Sequence, residues 1–224
     1  MVMNKAFLPS PMVSLQTFGD LLANGEMTKH FLISTFRIIV SILLALLLAV
    51  PLGLAMGRNE TLNHVVGPMV YLLYPLPKVV FLPIIVVLLG LGNVPKIFLI
   101  TLVIFFQILV VTRDAAKVIP LASVQSMRLL HANVWQTYRH LIVPYCLPKI
   151  LTSLRITLGT AIAILFFSET FASFDGLGYF ILHGMETRDY PYMYAGIIGL
   201  ALLGMVLYFL VDVLEQLWCH WQKY

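Results

Sequence analysis

Four ionisable residues stand inside or at the edge of long apolar runs: Arg37, Lys78, Arg155 and Glu169. A charge held at membrane depth is costly unless it is paired or faces a water-filled path, so each is a candidate for handling a solute. Lys78 follows Tyr74-Pro75-Leu76-Pro77 and would suit an anion. Its plainer reading is an ammonium that extends along its own stem to a membrane surface. Arg37 and Arg155 each stand one or two turns from the start of an apolar run, and both are expected to reach the nearest surface. Glu169 lies near the end of its run, as a structural group or as a gate. Arg155 and Glu169 are separated by about 21 Å along a helix, which excludes a direct ion pair.

Other chemistries find little support. There is no GxxxxGK[ST] loop, so the chain is not expected to hydrolyse ATP or to be an enzyme. Gly176-Leu177-Gly178 lacks the lysine and reads as a turn. The six histidines never recur at the i, i+4 spacing of a helical zinc pair. Cys146 and Cys219 lie far apart and suggest neither a disulfide nor a metal site. No cofactor is expected on the chain. Phe105, Phe106, Phe166 and Phe167 are read as packing or lipid contacts.

The elements that carry these residues follow from composition. Of 224 residues, 60% are hydrophobic and only 11% charged, against roughly 25% charged in soluble domains. The expected fold is an all-α polytopic membrane protein, one domain over residues 1–224 with about five transmembrane helices. Residues 1–30 are expected not to span, with a short surface helix near Met12 to Ala23. The predicted spans are Phe31 to Met56, Val65 to Leu91, Val94 to Val111, Ile150 to Phe171, and Pro191 to Trp218. The second contains Pro68, Pro75, Pro77 and Pro83 and must be broken or sharply bent, because each proline removes a donor and clashes one turn back. Ala172 to Tyr190 reads as a loop. Gly196, Gly199 and Gly204 place small residues along the last span, as close helix packing in lipid requires.

Between the third and fourth spans lies Asp114 to Pro148, a basic and amphipathic segment. Val124, Met127 and Leu130 recur every three residues, while Gln125, Arg128 and His131 fall on another face. Trp135, Tyr138 and Leu141 or Ile142 continue an apolar stripe beyond a break at His131-Ala132-Asn133. A helix, a turn and a second helix lying at a membrane surface are expected. With the N-terminus outside, the inner segments hold Arg58, Arg113, Lys117, Arg128, Arg139, Lys149 and Lys223, and the outer ones Lys5, Lys29, Lys96 and Arg188, seven against four. That bias places the central loop and the C-terminus in the cytoplasm. It also accounts for the net charge of +4 without nucleic acid.

This arrangement resembles an ABC importer permease of the type I, MetI-like fold. The central loop resembles that family's EAA motif, with Gln125-Ser126-Met127 at the Glu-Ala-Ala triplet and His131 at the glycine. Leu141-Ile142-Val143-Pro144 and Leu147-Pro148 stand at the later Ile-x-x-x-x-Pro-like run. Three further stretches resemble the nitrate, sulfonate and taurine branch: Ala49-Val50-Pro51-Leu52-Gly53-Leu54, Tyr74-Pro75-Leu76-Pro77, and Gly176-Leu177-Gly178-Tyr179. The similarity runs from Leu8 onward. Permeases of that branch often begin with one more span, so this chain is a five-span core or has a truncated start. Neutral Gln125 removes the acidic residue of the motif, and His131 stands where glycine would permit a left-handed turn, which Asn133 could supply instead.

The resemblance implies a multi-pass subunit of a bacterial inner membrane. It implies coupling to two cytoplasmic ABC ATPase subunits through Gln125, Ser126, Met127, Arg128, His131 and Asn133, with ATP and magnesium held on the ATPase. It also implies a second permease chain as a homodimer, an extracytoplasmic binding protein, and a small anionic solute or vitamin precursor. An ion-gradient-driven transporter or channel fits the hydropathy equally well. It leaves the central loop unexplained, and no inverted repeat of broken spans is seen. A membrane scaffold is the third reading.

Overall fold

A computed structural model describes residues 9–219 and Trp221. Expectations for the stretch before Pro9, including Lys5 and Leu8, and for Lys223 lie outside the described residues. Every regular element among the described residues is helical.

The order is α1 (Pro11–Ala23), α2 (Glu26–Arg58), α3 (Glu60–Leu73), a 3-10 turn (Lys78–Phe81), α4 (Leu82–Leu89), α5 (Asn93–Lys117) and α6 (Leu121–Leu129). Then come α7 (Val134–Thr137), a π-helical turn (Tyr138–Ile142), α8 (Val143–Thr170), α9 (Leu177–Glu186) and α10 (Tyr190–Trp218). α2, α5, α7 to α8 taken together, and α10 are long and apolar enough to cross a membrane. The pair α3 and α4, bent by 80° at its break, makes a possible fifth span. The prolines explain the bend: Pro75 and Pro77 leave no amides to continue α3, and Pro83 sits in the first turn of α4, where a missing N–H costs nothing.

Boundaries shift where local chemistry extends a helix. α5 runs on past Arg113 to Lys117, and α7 to α8 pass without interruption into the fourth span. The central segment is therefore mostly helix, broken only after Lys117 and after Leu129. The π turn has a cause in Pro144, which has no N–H for the His140 carbonyl. The Val143 amide instead donates to Tyr138, five residues back. The expected loop Ala172 to Tyr190 contains α9, ten residues long and too short to cross.

The described chain forms two compact units. One takes the chain up to Ser41, Val79–Ile100 and Gly159–Leu207. Here Leu21, Met27, Phe180 and Ala195 are buried together, and the Phe180 and Tyr192 rings stack at 3.8 Å. A Cβ on Gly196 would come within 2.8 Å of Ile181 and Phe180, so α10 needs that glycine to pack on α9. The other unit takes Ile42–Lys78, Thr101–Leu158 and the chain from Tyr208. Its core gathers Leu54, Ala115, Ala116, Ile119, Val124, Ile142, Cys146 and Ile150. A Cβ on Gly57 would lie 2.5 Å from the Arg113 carbonyl oxygen, so α2 and α5 meet there backbone to backbone. The second unit collects all the described segments expected on the cytoplasmic side; the first collects those expected outside. Large apolar side chains such as Leu47 of α2, Val87 of α4, and Met205 and Phe209 of α10 remain exposed, as contact with lipid requires.

Candidate functional site

The central loop is anchored at its two ends and open at its tip. Val124 of α6 is buried in the core of its unit, and Met127 is half-buried. Leu130, the third residue of the expected stripe, is 76% exposed. Leu121, Leu129, Val134 and Trp135 are exposed as well, while Tyr138 and Leu141 pack on the core and Ile142 is inside it. The stripe is thus inward only at its two ends, and the turn between them carries outward-facing apolar groups. Gln125, Ser126 and Arg128 are exposed.

The turn itself depends on His131. Its φ is 54°, in the left-handed region that glycine enters without strain. His131 N–H donates to the Arg128 carbonyl and Ala132 N–H to the Met127 carbonyl, at 2.9 and 3.0 Å. These two bonds make a Schellman closure of α6 and satisfy carbonyls that would otherwise be orphaned. Asn133 does a different job from the one expected: its backbone is extended and it caps α7. Its side chain accepts from the Gln136 amide, and its own amide donates to the Gln136 side chain, both at 2.8 Å.

Arg37 and Glu169 come together in the unit built around α9. Both are 0% exposed, so Arg37 does not reach a surface as expected. Arg37 Nη1 donates to Glu169 Oε1 at 2.8 Å and to the Asp175 carbonyl at 3.1 Å. Its Nε donates to Asn93 Oδ1 at 2.8 Å, and its Nη2 pairs with the Asp175 carboxylate. Ser34 Oγ donates to both Glu169 oxygens and accepts from the Leu177 amide, each at 2.8 Å. Gly178 N–H donates to Glu169 Oε2 at 2.9 Å. The carboxylate thus sits at the N-terminus of α9, where amides and helix dipole favour a negative charge. Gly176, at φ 100°, makes the approach; a Cβ there would fall 2.3 Å from the Glu169 carboxyl carbon.

Arg155 belongs to the other unit. Its Nη2 pairs with Asp212 and Glu215 of α10, and its guanidinium lies 5.5 Å from the Tyr208 ring centre. Its side chain is 23% exposed, so it is held by partners rather than extended to a surface. Lys78 is buried at the α3 break. Its ammonium donates to the carbonyls of Leu73 and Tyr74 at 2.9 Å and of Leu76 at 3.3 Å. Three protons meet three acceptors that the end of α3 leaves open. The Phe106 ring centre lies 4.7 Å from the same ammonium. Asp175, Asp212 and Glu215 were not anticipated as partners. Depth was the available signal: Arg37 and Glu169 both lie near the ends of the predicted spans expected outside, and Arg155, Asp212 and Glu215 near the ends expected inside.

Helices of this length, a bent helix pair and a helical central segment define an all-helical polytopic membrane protein. The chain belongs to the family described as binding-protein-dependent transport system inner membrane component, which matches residues 41–218. It is thus an ABC importer permease, a transport component. It is 29% identical to the taurine transport system permease protein TauC of Escherichia coli, over 96% of this chain and 80% of that one. It is also 29% identical to the formylaminopyrimidine transport permease protein ThiX of Halalkalibacterium halodurans, over 96% of this chain and 86% of that one. In fold it is similar to a chain of the inward-facing MetNI methionine ABC transporter, with TM-score 0.72 and 18% identity over 85% of this chain and 95% of that one. The MetI-like expectation of the sequence is met.

Proposed function

We propose that α6 and the turn at His131 dock on a cytoplasmic ATPase, and that the chain pairs with a second copy of itself to enclose the solute path. Two ATPase subunits hold ATP and magnesium, and an extracytoplasmic binding protein delivers the solute. The N-terminus lies outside, and the central loop and C-terminus face the cytoplasm. Closure of the ATPase pair moves the two docking helices, and their movement tilts the spans to open the path outward.

One observation carries this reading: α6 is fixed to the permease core through Val124 while Arg128, Leu129 and Leu130 stand exposed at its capped end. A stiff element held on one side and bare on the other can transmit a push. With Gln125 in place of an acidic residue, the exposed leucines and Trp135 supply the contact area, and Arg128 supplies the charge. The names of TauC and ThiX support a small anionic solute or a vitamin precursor. Arg37, Glu169, Arg155 and Lys78 each have partners within the chain, which leaves an ion-gradient mechanism without a free coupling group among them.

Purification of tagged chain from its native membrane should bring an ATPase subunit with it, and Arg128→Glu should reduce that recovery and solute-stimulated ATP hydrolysis at least about ten-fold, as loss of a charged group at an interface does. Unchanged capture and transport in the variant would remove this docking face.

A further inference from the structure

We propose that one stripe of α5 lines the cytoplasmic half of the solute path, with Gln107 as its hydrogen-bonding group. The inference rests on the proposed reading that two copies of the chain enclose that path, and on its orientation.

Val103, Gln107, Val110, Asp114 and Lys117 follow one another at alternating intervals of four and three, so they share one side of α5. Each is half-buried or exposed, whereas Ile104, Ile108, Leu109, Thr112 and Arg113 between them are buried. All of them belong to one unit of the fold. Polarity enters this stripe from the cytoplasmic end, at Lys117 and Asp114, and Gln107 carries it to mid-span. Gln107 stands about 15 Å along the axis from Lys117 and about 21 Å from Asn93. It is therefore deep within a hydrocarbon core of roughly 30 Å, too deep for a glutamine to reach either surface.

The chain supplies no donor at that depth. Gln107 Oε1 is buried and has no hydrogen-bond partner among the described residues. The other carboxamides of the long apolar helices are served within the chain. Asn93 accepts from Arg37, Gln136 exchanges hydrogen bonds with Asn133, and Gln216 donates to Asp212. An amide without a partner in hydrocarbon is strongly disfavoured, so Gln107 takes its partner from outside the chain.

The rest of the stripe selects that partner. Lipid tails offer no hydrogen bond. A second copy packed stripe to stripe about a two-fold axis along the membrane normal would bring Asp114 towards Asp114 and Lys117 towards Lys117, like charge against like. A water-filled route serves all three polar side chains. A neutral carboxamide on such a route suits an anionic solute. It hydrogen-bonds the solute in place of lost hydration water, without holding the anion as a full positive charge would.

The test is thiol labelling of Gln107→Cys in the full chain, in membranes opened by sonication. The probe is the water-soluble anion methanethiosulfonate ethylsulfonate, and labelling is read by peptide mass at each cysteine. A thiol reacts as its thiolate, which forms in water and not in lipid, so Gln107→Cys should label at least about ten-fold faster than Leu47→Cys, an exposed position of α2. Val110→Cys, on the same stripe nearer the cytoplasm, should label as fast. Equal rates at positions 107 and 47 overturn the proposal. A disulfide between two copies at position 107 under mild oxidation, without labelling, also overturns it and makes the stripe a seam between copies. If Gln107→Cys does not reach the membrane, Val103→Cys and Val110→Cys decide by the same comparison with Leu47→Cys. ATPase capture from the same membranes reports separately on the docking reading. Intact capture with slow labelling overturns this inference alone, and fast labelling without capture keeps the water-lined stripe and fails the docking face.

Discussion

Arg37 and the turn at His131 show two opposite ways of satisfying the chain's polar groups. Arg37 is 0% exposed and spends its donors on Asn93, Glu169 and Asp175, so α2, the α8 end and the entry to α9 are tied from inside. Around His131 the backbone closes α6 by itself, at a conformation unfavourable for a side chain, and the neighbouring leucines and Trp135 are left in the open. The first region is complete within one chain. The second exposes apolar area at a turn, which the proposed docking would cover. The difference separates residues whose loss should unfold the permease from residues whose loss should uncouple it.

The largest effect is expected where the closure is tightest. Arg37→Met leaves the buried Glu169 carboxylate with only Ser34 and the Gly178 amide, and leaves Asp175 without its cation. Removing one member of a buried pair costs about 3–5 kcal/mol, because the remaining charge stays out of water without its partner. Thermal unfolding in detergent should show that loss, and recovery of an ATPase by whatever folded fraction remains should be unchanged. If Arg37→Met folds normally but no longer transports, the cluster is a gate rather than a tie, and the contrast between the two regions fails.

His131→Gly sharpens the contrast from the other side. Glycine enters the left-handed region without the Cβ clash that His131 bears, and the two Schellman hydrogen bonds need no side chain. The variant should gain up to about 1 kcal/mol against thermal unfolding, an increment of the size usual for matching residue type to backbone conformation. ATPase capture should persist or rise, since the helix proposed to dock keeps its end. A loss of capture with stability unchanged would make the imidazole itself a contact.

Much of this was legible in the sequence, and its omissions have physical reasons. Long apolar runs located α2, α5, α8 and α10, and the prolines around Lys78 located the break. The left-handed turn was legible only through the resemblance that placed glycine at His131; nothing in the residue type of a histidine announces it. α9 lies in a stretch that reads as loop, yet Leu177, Phe180, Ile181 and Gly184 recur on one buried face. The central segment was expected to leave the membrane at Asp114 and return near Pro148. Helix continuity ignores that limit, since a helix crosses an interface freely while its own backbone is satisfied. The ion pairs join different helices, Arg37 to Glu169 and Arg155 to Asp212 and Glu215, and spacing along one helix, which excludes only Arg155 with Glu169, does not reveal them.

Arg155 is the test of how far burial, rather than pairing, sets these costs. Like Arg37 it stands within a span and faces two carboxylates, Asp212 and Glu215. Unlike Arg37 it is 23% exposed, and Asp212 is 40% exposed. Solvent screens such a pair, and the two acids are left able to hydrate if the arginine goes. Arg155→Gln should therefore cost only about 0–1 kcal/mol against the same unfolding measurement. A double-mutant cycle of Arg155→Gln with Asp212→Asn should give a coupling energy several-fold below that of Arg37→Met with Glu169→Gln. If the two coupling energies come out equal, the lipid around α10 shields Arg155 as well as protein shields Arg37. In that case the middle of α8 and the end of α10 form a second tie.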